Sequence, residues 1–381
     1  MRVTGIICEY NPFHQGHKKQ LDYIRARHPE DSIVCLMSGN FVQRGKPAIV
    51  DKMVRAEAAL RCGADLVLEL PVTAALSSAE GFAAQGVQIL RSFCDRLCFG
   101  AETGHEEALM ATARALLAPD FSVHLKQRLQ EGLSFPAARQ KALKDMGVAA
   151  DLLALPNDIL AVEYCKAILA QNSRMAPLVI RREGDYHDTH PDRENPSATA
   201  VRELMLQGQS WSDYVPEEAR GGFDGAALHA MEAGERAVLT RLRAMTDEEF
   251  EALPYGSEGL WRKLMHACRE YATLEEILQA VKSKRYTRTR LDRMVLCAFL
   301  GITREMFNVP APYVRVLALN DNGREILKTA RQHGHFPNIG EKQDGPYQQL
   351  ENRCGDLYGL FAVDGPEAPN RESKYRVCYK K

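Results

Sequence analysis

Short apolar runs alternate with amphipathic segments through the first half of the chain. Val3 to Cys8, Ser32 to Met37, Asp65 to Leu70, Arg96 to Gly100 and Pro177 to Ile180 are five runs of strand length, rich in Val, Ile, Leu and Cys. Helical patterns lie between them. One is capped by Asp51 and runs to about Cys62; a second extends from Ser78 to about Phe93. Strands apolar on both faces and separated by helices predict a parallel sheet covered on both sides. Ligands of such sheets bind beyond the carboxyl ends of the strands. Glu106 to about Gly147 reads as inserted helices, Leu155-Pro156-Asn157-Asp158 opens a helix, and Ser197 to Arg202 opens another.

Beyond about Val215 the period changes. Helical patterning dominates from Ala226 to Leu300 until Pro310-Ala311-Pro312 breaks it. Val314 to Leu319 reads as a strand, Asn322-Gly323 as a turn and Gly323 to Gln332 as a helix. The polar and aromatic tail from Asn338 onward carries little pattern. The expected fold is α/β: a Rossmann-like parallel sheet in residues 1–215, followed by a mainly helical region with a short α/β tail in residues 216–381.

Composition narrows the function classes. A chain of 381 residues can bury a sizeable core. Its net charge of −1 carries no global signal for nucleic acid or membrane, so any basic surface is local. No apolar run reaches membrane-spanning length, and the first residues lead directly into a strand rather than a signal peptide. Most of the ten cysteines stand singly within apolar segments, as reduced core thiols do. Cys94 and Cys98 lack a second ligand pair, so no metal site is expected. These features point to the cytoplasm. Nothing in the sequence sets an oligomeric state.

The candidate chemistry begins at His14-Gln15-Gly16-His17. It follows the first strand and a turn-prone bridge, Glu9 to Phe13, and opens a helix. A helix start offers unpaired N–H groups and partial positive charge, which suit phosphate. Gly16 lets that backbone approach an anion. His14 and His17 share a helical face and can donate to one phosphate as charge develops on it. A surface cap, or two ligands of a metal, are the other readings. Ser197 and Thr199, one turn before Arg202, suit distal phosphates, or simply cap a helix. Arg181 and Arg182 end the fifth strand, where a phosphate or base would lie. Gly100 ends the fourth strand, and Asn157 either contacts a ligand or caps its helix. The stretch Ser38 to Ala48 reads as a substrate loop or a mobile surface loop. The densest basic run holds Lys282, Lys284, Arg285, Arg288, Arg290 and Arg293, interleaved with hydroxyls and Tyr286; it reads as an RNA contact against the alternative of a solvated face.

These motifs in this order resemble nucleotidyltransferase-type Rossmann proteins with a His-x-Gly-His. More narrowly, they resemble the bacterial tRNA(Met) cytidine acetate ligase family. The blocks that carry the likeness are Glu9 to His14, Ser38 to Gly45, Leu155 to Asp158, Ser197 to Arg202 and Lys284 to Leu291. The resemblance implies that acetate is activated by ATP, accompanied by Mg²⁺, as acetyl-adenylate. The acetyl group is then passed to the wobble cytidine of elongator tRNA(Met). It implies an ATP site formed by Ile7, Cys8, Glu9, Tyr10, Asn11, Pro12, Phe13, His14, Gln15, Gly16, His17, Lys18, Lys19 and Gln20, with Gly100, Asn157, Arg181, Arg182, Ser197 and Thr199. His14 and His17 would be catalytic, and no covalent enzyme intermediate is needed. An adenylyltransferase joining AMP to a phosphorylated metabolite, or a nucleotide-binding module without turnover, would share part of the pattern.

Overall fold

The computed structural model describes residues 2–148, 151–181, 196–332 and 345–380. In chain order its strands are β1 (Arg2–Cys8), β2 (Asp31–Ser38), β3 (Phe41–Val42), β4 (Lys46–Pro47), β5 (Leu66–Leu70), β6 (Arg96–Ala101), β7 (Ala176–Arg181), β8 (Val316–Leu319) and β9 (Cys378–Tyr379). Seven of them form one sheet in the order β7-β6-β1-β2-β5-β8-β9. The five expected strands are all parallel neighbours in it. β2 is buried along its whole length, which is why its sequence is a continuous apolar run rather than an alternation. Successive side chains still divide between faces. Val3, Ile7, Val34 and Leu36 pack with Phe82, Val87 and Leu90 on one side; Ile6, Ile33, Cys35 and Met37 pack with Leu21 and Ile24 on the other.

The tail departs from the expected organisation. β8 pairs antiparallel with β5, and β9 pairs parallel with β8, so these two strands of the tail extend the N-terminal sheet. The helix after β8 runs Asp321–Gln332, so Asn322-Gly323 is its first turn and not a turn preceding it. Asn320 Oδ1 accepts from Gly323 N at 3.0 Å. A Cβ at Gly323 would stand 2.2 Å from the carbonyl oxygen of Asp65, so only glycine lets the helix dock there. The helical stretch has its own core around Leu242, Phe250, Leu264, Ile277 and Leu296, to which Tyr358 and Phe361 of the tail contribute.

A buried charge cluster fixes the tail. Lys52 Nζ donates to Glu69 at 2.7 Å and to Glu372 at 2.6 Å, and Arg315 bonds Glu372 from the other side. Glu351 joins them; burial, with Glu69 nearby, pushes its carboxyl up to about 7. No helix among the described residues is long and apolar enough to cross a membrane. All ten cysteines are free thiols.

Candidate active site

β1 delivers its chain to the carboxyl edge of the sheet, where Tyr10 and Phe13 are buried and anchor the bridge. The next helix, Gln15–Arg27, is capped by the histidines themselves. His14 Nδ1 accepts from Gly16 N at 3.1 Å, and His17 Nδ1 accepts from His14 N at 3.2 Å. This is a capping box made of imidazoles. It has a chemical consequence. A nitrogen that accepts carries no proton, so both neutral rings hold theirs on Nε2. The rings stack with centroids 3.7 Å apart and 26° between planes. The surface-cap and phosphate readings are therefore compatible: Nδ1 caps the helix, and Nε2–H remains each ring's donor. Among the described residues no three His, Cys, Asp or Glu side chains gather as a metal site.

The second expected element is seated against the first. Ser197 caps the helix Ala198–Leu206 by accepting from Ala200 N at 3.1 Å. Arg202 Nη1 donates to the carbonyl of Asn11 at 2.6 Å, and its Nη2 to Thr199 Oγ1 at 2.9 Å. One guanidinium thus ties Thr199 to the bridge that leads into His14. Asn11 is held on its other side, its Oδ1 accepting from Ile49 N at 2.7 Å. Thr199 Oγ1 accepts from Arg202 and keeps its own proton for a phosphate oxygen; Thr199→Val would lose that bond to a charged ligand, on the order of 1.5 kcal/mol of binding. Ser197 still caps the helix. ATP affinity is expected to fall about tenfold with little change in melting temperature. The opposite result, lost stability with affinity intact, identifies Thr199 as a packing residue only.

At β6, Gly100 lies in the strand beside Ile180, and Glu102 just beyond it is locked to Asn157. Glu102 Oε1 accepts from Asn157 N at 3.1 Å and from its Nδ2 at 2.7 Å; Oε2 accepts from Asp158 N at 2.7 Å. Asp158 Oδ1 in turn accepts from Glu102 N at 2.8 Å. Asn157 is therefore not its helix's cap, which is Leu155. A carboxylate only accepts, so Glu102 fixes the amide flip of Asn157. Glu102 was legible only as a polar residue at a strand end.

The other expected residues are placed as follows. Ile7 is a core residue, and half-buried Cys8 donates to Leu36 O at 3.8 Å; burial pushes its thiol well up, so it is a poor nucleophile. Lys18 pairs with Asp22, Lys19 is exposed, and Gln20 reaches the carbonyl of Cys98 at 3.4 Å. Arg181 is exposed at the end of β7. Arg182 lies outside the described residues. The stretch Ser38 to Ala48 is a largely buried ribbon of β3 and β4 rather than a mobile loop. Gly45, at φ 72°, meets the backbone of Arg293 so closely that a Cβ would lie 2.4 Å from its nitrogen. Arg55, absent from the sequence reading, is fully buried beneath these turns. It donates to the carbonyls of Glu9 at 2.6 Å and Ser38 at 3.1 Å, and also to Gly39. Nothing local marked it, since its helix also carries Lys52, Glu57 and Arg61.

The basic run divides in two. Lys282, Lys284 and Arg285 are exposed. Arg288 pairs with Glu275 and Asp292, Arg290 donates to the carbonyl of Tyr255 at 2.7 Å, and Arg293 donates to that of Gln43 at 3.3 Å. Arg290 also lies over the Tyr286 ring, 5.3 Å from its centroid.

Comparison with known proteins agrees with this geometry. Residues 1–370 match the family model described as HIGH Nucleotidyl Transferase. A protein of Alkaliphilus metalliredigens named tRNA(Met) cytidine acetate ligase is 37% identical over 371 residues, covering 89% of this chain and 87% of its own. The chain belongs to the tRNA(Met) cytidine acetate ligase family. A second member, from Clostridium novyi, is 36% identical over 88% of this chain and 89% of its own. Crystal structures of Thermotoga maritima TmcAL match the whole of this chain at 30% identity. The TM-score is 0.91 for an apo form and 0.89 for a form bound with alpha-thio ATP. The expected nucleotidyltransferase fold is therefore the observed one, and a family member binds an ATP analogue.

Proposed function

We propose that this protein is an ATP-dependent ligase that acetylates the wobble cytidine of elongator tRNA(Met) to N4-acetylcytidine. The observation that carries the reading is the imidazole pair. Its Nε2–H donors stand at a helix start, joined through Arg202 to the Ser197/Thr199 helix. In the first half-reaction an acetate oxygen attacks the α-phosphorus of ATP and pyrophosphate leaves. His14 and His17 donate to the phosphoryl oxygens as charge builds there. Ser197, Thr199 and Arg202 hold the departing pyrophosphate. Mg²⁺ would accompany ATP as its counter-ion and would supply charge neutralisation on the triphosphate. In the second half-reaction the cytidine amine displaces AMP from the acetyl carbon.

Residues 1–215 carry the adenylation, the helical stretch after 216 receives the tRNA, and the tail returns to complete the sheet. ATP and tRNA place the reaction in the cytoplasm. A plain adenylyltransferase has no use for the helical region, which the ligase family shares along nearly its whole length. The test supplies protein, ATP, labelled acetate and tRNA, omitting each in turn. Label in RNA is expected only from the complete mixture. Label that enters RNA without ATP, or never enters it, overturns the reading.

A further inference from the structure

The transfer half-reaction needs a proton acceptor, and the described residues at the carboxyl edge of the sheet can be taken one at a time. The imidazoles are excluded by their tautomers, because Nδ1 of each already accepts from the backbone and Nε2 carries the proton. Both oxygens of Glu102 are taken by Asn157 and Asp158. Asp158 is fully buried. Asp51 accepts from Met53, Asn40, Arg371 and Tyr375, and Glu69 is held between Lys52 and Arg315. Cys8 is a high-pKa thiol.

Glu9 remains, the one carboxylate between Ile7 and Gln20. It directly follows β1, five residues before His14. Its carbonyl is fixed by Arg55, and its Oε1 accepts from Gln43 N at 2.7 Å. No hydrogen bond from a described residue reaches Oε2, and the residue is half-buried rather than sealed. The side chain is thus held by one oxygen and presents the other.

We propose that Glu9 is the general base of the transfer step, accepting on Oε2 the proton lost by the cytidine N4 amine. The assignment rests on the ligase reading above. The N4 lone pair attacks the carbonyl carbon of acetyl-adenylate. The C–N bond forms, the bond from carbon to the phosphate oxygen breaks, and AMP departs with its electron pair. The amine proton passes to Glu9 and then to water. The groups facing Glu9 suit this role. Burial raises its carboxyl above the usual range, while Arg202, Arg44 and Arg55 oppose that rise; Tyr164 faces it from the helix Pro156–Ala170. The balance is a carboxyl group more basic than an exposed one, as suits a proton acceptor.

The experiment uses the full chain and two readouts: acetate-dependent pyrophosphate exchange, and single-turnover acetyl transfer to tRNA(Met), each from pH 5 to 9. Glu9→Gln keeps an acceptor for Gln43 N but cannot take a proton. Its ratio of transfer to exchange is expected to fall at least about 100-fold. The acid limb of the wild-type transfer profile should vanish with it. Glu9→Asp should recover part of the ratio and keep a displaced limb. An unchanged ratio, or an acid limb that persists in Glu9→Gln, overturns the proposal. If Glu9→Gln does not fold, Glu9→Asp decides, and an undisplaced limb overturns it. Failure of the ligase reading itself looks different: the wild-type protein then transfers no acetyl group to tRNA at any pH.

Discussion

Replacing His17 is expected to reduce acetate-dependent pyrophosphate exchange at least about 100-fold, the usual loss for one preorganised donor to a charged transition state. The choice of replacement matters, because His17 does two things. Its Nδ1 accepts from His14 N and so closes the first turn of the helix. In the proposed reaction its Nε2 holds the proton offered to the phosphoryl group. His17→Ala removes both, and the lost cap costs about 1 kcal/mol. His17→Asn separates them, since Asn Oδ1 takes the place of Nδ1 while nothing replaces Nε2–H. Both variants should lose exchange, but only the alanine should show a lowered melting temperature. Exchange near the wild-type level in a folded His17→Asn protein would leave the histidine a structural cap. The same pair of substitutions at His14 tests its partner ring, which caps through Gly16 N.

What was legible in the sequence was what local chemistry decides. Five apolar runs became five parallel strands; β1, β2, β5 and β6 are mostly buried, which demands such runs, while β7 at the sheet edge is only half-buried. The histidine pair was readable because its capping bonds span only two and three residues. The meeting of Arg202 with Asn11 crosses 191 residues. It could be anticipated only because both elements follow strands of one sheet and so emerge at the same edge. Residues whose roles depend on distant partners were hidden. Arg371 and Tyr375 reach Asp51 across more than 300 residues, and nothing near them in the chain marks that contact. Glu372 is an ordinary surface-like residue in sequence and a buried counter-ion to Lys52 in the fold. β8 was readable as a strand but not as the antiparallel neighbour of β5. The basic run showed the same limit. Counting cations found it, but only the structure shows which of them already have partners.

That division recasts the test of tRNA binding. Lys282, Lys284 and Arg285 stand exposed on the turn between two helices, Leu274–Val281 and Arg288–Leu300. Among the described residues Arg285 pairs only with Glu258, a bridge of 2.7 Å between side chains 64% and 50% exposed. Such a surface bridge contributes little and yields readily to a phosphate. Arg288, Arg290 and Arg293 hold the helical region together and against the β3–β4 ribbon, so alanine at these positions mixes lost binding with lost structure. The triple variant Lys282→Ala, Lys284→Ala, Arg285→Ala is therefore the informative one. Its affinity for tRNA(Met) is expected to fall at least about tenfold near physiological salt. The slope of log affinity against log salt should flatten by roughly two to three, one unit or slightly less for each lost phosphate contact. Pyrophosphate exchange, which involves no tRNA, should stay within about twofold, and the melting temperature should hold. Arg290→Ala makes the contrast, since losing its bond to the Tyr255 carbonyl should lower stability as well as binding. An unchanged affinity and an unchanged slope in the triple variant would show the exposed cations to be a solvated face. The phosphate backbone would then have to be met by other cations of the helical region, because in the proposed reaction the donors of the adenylation site hold ATP.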